Sequence, residues 1–213
     1  MSNHDSDDKV SAVCSSLTGM HVAVGTMRGK VYFINRFSGE LERKFEPHDK
    51  KVTGIFIRDQ HSIVTSSNDG TIHVQSLKAQ TPSKRINPKE YEISCFCSVD
   101  QNSDQEFVIG FGKGDMMYYK EGVNLLYQVS TTKKVLHKDS QEGSIISCVY
   151  YRKVLAWSTS KMIRLRYYPN FEDAGRNICC IDLPPTRSPK FSEYLYHQST
   201  TIKPSIIFMK SKQ

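Results

Sequence analysis

Short runs of alternating apolar and polar residues follow one another along this chain, separated by clusters of Gly, Asn, Asp and Ser. Alternation with a period of two marks half-buried strands, and the residues between the runs supply the backbone angles that tight turns need. The runs predict strands near 10–15, 21–26, 30–36 and 41–45, then near 52–57, 62–67, 71–77 and 84–86. A third set falls near 92–99, 106–111, 115–120 and 124–129, and a fourth near 144–151, 153–158, 162–168 and 176–182. Two further pieces fall near 194–198 and 204–209. No segment keeps helical periodicity over three or more turns.

The sets are copies of one another. Val24-Gly25-Thr26-Met27-Arg28-Gly29-Lys30-Val31-Tyr32-Phe33 returns as Thr65-Ser66-Ser67-Asn68-Asp69-Gly70-Thr71-Ile72-His73-Val74. It returns more loosely from Ile109 to Tyr118 and from Ala156 to Leu165. The turn positions Gly29, Gly70, Gly114 and Ser160 are spaced by 41, 44 and 46 residues. Four strands per unit of about 40–45 residues is the formula of a propeller blade. Asp69-Gly70 is the clearest hairpin signal, and Gly25, Gly29 and Gly114 are the other expected repeat-turn positions. No Trp-Asp dipeptide ends any repeat, so the repeat is divergent. In the first strand of each set, Val13, Ile55 and Phe96 recur at 42 and 41 residues, but Val149 follows only after 53. The excess is read as a polar, basic inter-blade loop over 130–140. The expectation is an all-β, partial WD-repeat-type propeller over residues 10–213, of about four to five four-stranded blades, after a disordered acidic stretch at 1–9. A seven-bladed ring needs on the order of 280–320 residues, so this ring is expected to be incomplete, with unpaired edges at both ends.

Composition adds limits. The 213 residues are 38% apolar, which supports a buried core, and carry a formal charge of +7. The basic residues are scattered, with short clusters at Lys50-Lys51, Lys133-Lys134 and Arg164/Arg166. That pattern suits a solvated surface or attraction to acidic proteins or anionic membrane, and argues against nucleic acid, which wants a basic stripe. The polar, acidic start is unlike a signal peptide, and no apolar run approaches the ~18 residues of a membrane span, so a cytoplasmic chain with reduced cysteines is expected. Cys95 and Cys97 point to one face of a strand as small apolar fillers, Cys179-Cys180 lies in another apolar strand, and no zinc spacing is present.

Candidate chemistry is sparse. Gly110-Phe111-Gly112-Lys113-Gly114-Asp115 lacks the frame and the strand-to-helix context of a phosphate loop and reads as a strand turn. His48 with Asp49 has no nucleophile motif beside it and fits an inter-strand loop. Glu40 and Glu42 read as solubility, and Trp157 as core filling. No catalytic residue, metal ligand, cofactor site or small-molecule substrate is expected, and the chain is read as non-enzymatic. Thr81, before Pro82, and Ser188, before Pro189, are candidate phosphosites in loop-like, basic surroundings.

Several segments resemble the vacuolar protein sorting protein 41 family, the membrane-tethering subunit of the HOPS complex. Val22–Phe33 is similar to the family's opening blade, with its apolar-Gly-Thr followed by Gly-Lys-Val-Tyr. Val135-Leu136-His137 with Glu142-Gly143-Ser144-Ile145, Val154-Leu155-Ala156-Trp157, and Ile181-Asp182-Leu183-Pro184 with Arg187, Pro189 and Tyr194 resemble later family segments in the same order. The resemblance implies a non-catalytic interaction scaffold in vesicle trafficking. Its partners would be other tethering-complex subunits, small GTPases or adaptor proteins, with peripheral association at late endosomal, lysosomal or vacuolar membranes. The family's helical solenoid and RING-like module have no counterpart here. The alternative is an unrelated WD-repeat adaptor in a ubiquitin ligase, RNA or cytoskeletal assembly.

Overall fold

The computed structural model describes residues 8–58, 62–77, 84–88, 91–100, 105–123 and 129–183. Among the described residues, sixteen strands form four sheets, each an up-and-down meander of four consecutive strands. The first blade holds β1 (Val10–Ser15), β2 (His21–Thr26), β3 (Val31–Asn35) and β4 (Leu41–Phe45). The second holds β5 (Val52–Arg58), β6 (Ser62–Ser67), β7 (Ile72–Ser76) and β8 (Lys84–Ile86). The third holds β9 (Ile93–Ser98), β10 (Glu106–Phe111), β11 (Asp115–Val123) and β12 (Val129–Lys138). The fourth holds β13 (Ser147–Tyr151), β14 (Val154–Ser158), β15 (Met162–Tyr167) and β16 (Arg176–Asp182). The first strands stand side by side, β1 against β5, β5 against β9 and β9 against β13. This is a partial WD-repeat propeller.

Alternation along each strand divides its side chains between two faces, and the sheets stack through those faces. Ala23, Val31 and Phe33 meet Val52, Ile57 and Ile63 between the first two blades. Val64, Ile72 and Ile86 meet Ile93, Phe107 and Ile109 between the next two. Val108, Met116 and Tyr118 meet Ile145, Leu155 and Trp157 at the last junction. Trp157 is 2% exposed and fills core, as its strand position predicts. Cys95, Cys97 and Cys148 pack in that same layer.

The junctions are tight because one position on the second strand is small. A Cβ added at Gly25 would stand 2.6 Å from Val52 of the next blade, and one at Gly110 would stand 2.7 Å from Ile145. Gly25 therefore lies inside β2, paired with Val31, and not in a turn as the repeat pattern suggests. Its smallness serves close approach of the neighbouring sheet.

The turns repeat bond for bond. Gly29, Gly70 and Gly114 have φ of +85°, +85° and +90°. Their amides donate to the carbonyls of Thr26, Ser67 and Phe111, closing four-residue turns. Two residues earlier, the amides of Met27, Asn68 and Gly112 donate to the carbonyls of Lys9, Lys51 and Glu92, just ahead of each first strand. Lys9 is thus tied to the first blade, and Asp8 accepts from the Arg28 amide at 3.1 Å, so residues 8 and 9 are ordered rather than part of a disordered tail. In the fourth turn Thr159 replaces glycine chemistry, its hydroxyl accepting from the amides of Lys161 and Met162 at 3.2 Å.

One expected boundary is wrong. The outer strand of the third blade is Val129–Lys138 and not 124–129, so the basic segment read as a loop is strand. Alternation persists there, with Thr131, Lys133, Val135 and His137 against Thr132, Lys134 and Leu136, but lysine-rich polarity hides it. The real connection is the short stretch 139–146, which contains one 3₁₀ turn over Ser140–Glu142. The expected strands at 194–198 and 204–209, and Thr81 and Ser188, lie outside the described residues.

Gly29 offers a direct test of the turn geometry. A Cβ there would lie 2.1 Å from the His48 carbonyl oxygen, whereas one at Gly39, φ +72°, would meet nothing within 4 Å. Gly39→Ala carries only the left-handed backbone penalty, about 1–2 kcal/mol. Gly29→Ala adds a backbone collision and is expected to cost about 3 kcal/mol or more, read from urea midpoints of the two variants.

Candidate binding surface

One edge of the array gathers the second-to-third-strand turns and the loops that lead from each outer strand into the next blade. In sequence these are 26–30 with 46–51, 67–71 with the described residues 87, 88, 91 and 92, 111–114 with 139–144, and 159–161. The contacts of Gly29 with residues 48 and 50, and of Gly114 with Asp139 and Gly143, show each turn resting on the following loop.

Beneath this rim lies a buried polar network. His48 is 6% exposed; its Nδ1 lies 3.1 Å from Asp69 Oδ2 and 3.0 Å from Thr71 Oγ1. Its Nε2 lies 2.9 Å from Thr65 Oγ1. The Thr71 hydroxyl donates to Asp69 Oδ1 at 2.6 Å, leaving its oxygen to accept from His48. Nδ1–H is therefore the donor, and Nε2 accepts from Thr65: every polar atom is used by a neutral imidazole. Burial pushes the His48 pKa down to about 4, against the pull of Asp69. Burial disfavours the Asp69 carboxylate, yet bonds from Thr71, attraction to His48 and the Asp49 amide together hold its pKa below the usual value. The ring stands edge-on to His73 at 4.8 Å. His48 thus ties the loop at 46–51 to β6 and to the β6–β7 turn of its own blade.

The last junction uses different groups for the same task. Glu142, 5% exposed, pairs with the Arg164 guanidinium and lies 3.1 Å from His137 Nε2. Burial pushes His137 down, with Glu142 opposing. Arg166 sits over the Trp157 ring at 5.6 Å. Further out, Lys84 of the second blade pairs with the buried Glu121 of the third. The sequence offered His48 and Asp69 as separate features. It did not suggest the Glu142–Arg164 pair, whose partners are 22 residues apart and meet only through strand pairing.

The rim's outer surface is charged. Arg28, Lys50, Lys113 and Lys161 are exposed along it, with Asp49 and Glu92 among them. Lys50 lies 3.7 Å from Glu92, and Lys113 sits 4.2 Å above the Tyr91 ring. Among the described residues, no group of three or more His, Cys, Asp or Glu is placed to hold a metal ion, and no helix is long and apolar enough to cross a membrane. A hollow of about 150 Å³ beside Arg164, Asn177 and Ile178 is smaller than the ~300 Å³ at which small-molecule sites begin. The chemistry on offer is an extended polar contact surface held rigid from below.

Because His48 is neutral in the fold, acid destabilises the protein. The unfolded histidine takes a proton near 6.5 and the folded one near 4, so the unfolded chain binds more protons between these values. Stability is full above the unfolded value and falls as pH drops from 6.5 toward 4, by on the order of 3 kcal/mol for this group. His73, lowered by burial and then by Arg85, adds to the same slope. Urea unfolding across this range should show the decline, and His48→Gln should be less stable at neutral pH but decline less steeply.

The geometry agrees with comparisons to known proteins. The sequence matches the family model described as "Vps42 beta-propeller", of the Vps41 type, over residues 2–187. A comparison with curated protein sequences gives no match. The structure resembles a computationally designed protein, Ika4, with a TM-score of 0.58 at 15% identity, covering 78% of this chain and 96% of that one. It resembles the Cps50 (Swd1) β-propeller domain of Myceliophteria thermophila, with a TM-score of 0.67 at 12% identity over 84% of this chain and 58% of that one. A chain of the mitotic checkpoint complex gives a TM-score of 0.65 at 15% identity, over 84% of this chain and 52% of that one. These likenesses show the fold, and the chain spans little more than half the length of the last two chains. The family pattern runs through all four blades, and the chain belongs to the Vps41 β-propeller family.

Proposed function

We propose that this chain is a non-catalytic binding scaffold of a HOPS-type membrane-tethering assembly. Its rim of turns and loops engages an acidic face of a tethering subunit, small GTPase or adaptor at late endosomal, lysosomal or vacuolar membranes. The observation that carries the reading is the family match over residues 2–187. The exposed Arg28, Lys50, Lys113 and Lys161 on one edge support the choice of surface. Such charges raise encounter rates and fix orientation more than they add affinity. Placed near an anionic leaflet, each would add roughly 1 kcal/mol of attraction.

The test is affinity purification of the tagged chain from its native cells, with identification of what co-purifies. Tethering subunits are expected. The combined Lys50→Glu, Lys113→Glu, Lys161→Glu variant should keep its melting temperature, since all three are exposed. It should recover those partners several-fold less well, and binding of the unmodified chain should weaken as salt rises. Recovery of an unrelated assembly would overturn the reading, and undiminished recovery by the variant would move the contact away from the rim.

A further inference from the structure

Three sulfurs meet where the third and fourth blades join. Cys95 and Cys97 flank Phe96 on β9, so both turn to the fourth blade while Phe96 turns to the second. Cys148 stands on β13 opposite Trp157 and faces them from the other side of the junction. β9 and β13 are the neighbouring first strands of their sheets and share no ladder of backbone bonds. Cys95 Sγ lies 3.6 Å from Cys148 Sγ, although the two residues are 53 apart in sequence. Cys97 is hydrogen-bonded to Cys148 as well. Cys95 is buried, Cys97 and Cys148 are half-buried, and all three are free thiols.

Packing alone asks only for small apolar bulk at these places, which alanine or valine supplies. What thiols add is the ability to bond to one another. A disulfide needs sulfurs about 2.0 Å apart, so closing the 3.6 Å contact asks for an approach of about 1.5 Å. Small rotations of the two side chains supply it. Gly110 pairs with Cys95, and a Cβ there would stand 2.7 Å from the Cys95 sulfur. The glycine that seats Ile145 therefore also leaves room for that sulfur. Hydrogen bonds with Cys95 and Cys97, and then burial, hold the Cys148 thiol well above its usual pKa. Cys148 is thus the protonated partner, and oxidant takes its neighbour first.

We propose that Cys95 and Cys148 form a peroxide-responsive staple between the third and fourth blades. The oxidant is hydrogen peroxide, small and uncharged enough to reach a packed junction. The Cys95 sulfur takes one oxygen from peroxide, giving a sulfenic acid, and the first water leaves. The Cys148 sulfur attacks that sulfur, the S–S bond forms and the S–O bond breaks. The departing hydroxide takes the Cys148 proton and leaves as the second water. Two thiols lose two electrons, and one peroxide is reduced to two waters. A thiol reductant reverses the bond by exchange, so in a reducing compartment the staple lasts only as long as the oxidant. It joins two sheets that otherwise meet through side chains and single links such as the Ile145 amide on the Phe111 carbonyl. Closing a loop between residues 53 apart also restrains the unfolded chain, so the oxidised form is the more stable one.

The experiment treats the full chain with graded hydrogen peroxide, quenches free thiols with an alkylating agent, and maps the digest by mass spectrometry without reduction. The exposed Cys179 and Cys180 are replaced (Cys179→Ser, Cys180→Ser) so that they cannot pair with each other or between molecules. The expected product has lost two hydrogen atoms and carries a peptide that links Cys95 to Cys148. Its melting temperature should rise by several degrees and return after dithiothreitol. Cys97→Ala should still form the link, and Cys148→Ala should not, with circular dichroism checking that both fold. The same treatment in urea should lose the selectivity for this pair, because only the fold brings the two sulfurs together. Sulfinic or sulfonic acid at Cys95 without a link overturns the proposal, as does a chain whose mass does not change. A link from Cys148 to Cys97 overturns the assigned pair. A Cys95–Cys148 link that leaves the melting temperature where it was overturns the role as a staple.

Discussion

Face-to-face packing between consecutive sheets is the interaction on which this protein depends. Among the described residues no strand pairs across blades, so backbone hydrogen bonds hold the individual sheets and add only single links between them, such as the Ile145 amide donating to the Phe111 carbonyl. What joins the sheets is the removal of Val, Ile, Phe and Trp side chains from water, each worth about 1.5–3 kcal/mol when fully buried. That term is non-directional, and a flat apolar face could slide. The small residue on each second strand removes the freedom. Val52 seated over Gly25 and Ile145 over Gly110 turn apolar contact into a register, because any other alignment leaves a filled place empty or drives a branched side chain into backbone.

The rim is then fixed by polar groups that vary from blade to blade. The second blade uses His48, Asp69 and two threonines. The last junction uses Glu142, Arg164 and His137. Both place a buried charge or imidazole under the loop that enters a blade: His48 is bonded from its own blade, whereas Glu142 pairs with Arg164 of the fourth blade and lies beside His137 of the third. Leaving such a group unpaired would cost more than the bond contributes, so these networks set loop position sharply. The loops above them can change their exposed residues without moving. A binding surface with a fixed frame and replaceable side chains follows from that division.

Much of this was legible in the sequence, because a repeat is read four times. Strand limits in the first two blades follow from alternation and from Asp69-Gly70 or Gly29 between apolar runs. Recognition of the family rests on several segments in the same order along the chain, beginning with the apolar-Gly-Thr and Gly-Lys-Val-Tyr spacing of the first blade. Failure came where polarity concealed period. The strand Val129–Lys138 reads as a basic loop because its solvent face is lysine and threonine. Gly25 reads as a turn residue in the sequence because glycine signals both a turn and a close approach, and only the neighbouring sheet tells the two apart. The Glu142–Arg164 pair was invisible, since its partners become neighbours only after the hairpin forms. His48 and Asp69 were both noticed, but nothing local in the chain shows that one bonds the other.

The same geometry separates the rim from the sheet faces. The rim is made of turns and loops along one edge of every sheet, whereas the faces are the broad sides through which the sheets stack. Weak, charge-guided contacts of about 1 kcal/mol per basic group are of little use singly at physiological salt, where screening acts beyond ~8 Å. Set along one fixed edge, Arg28, Lys50, Lys113 and Lys161 would act together on an anionic surface rather than one at a time.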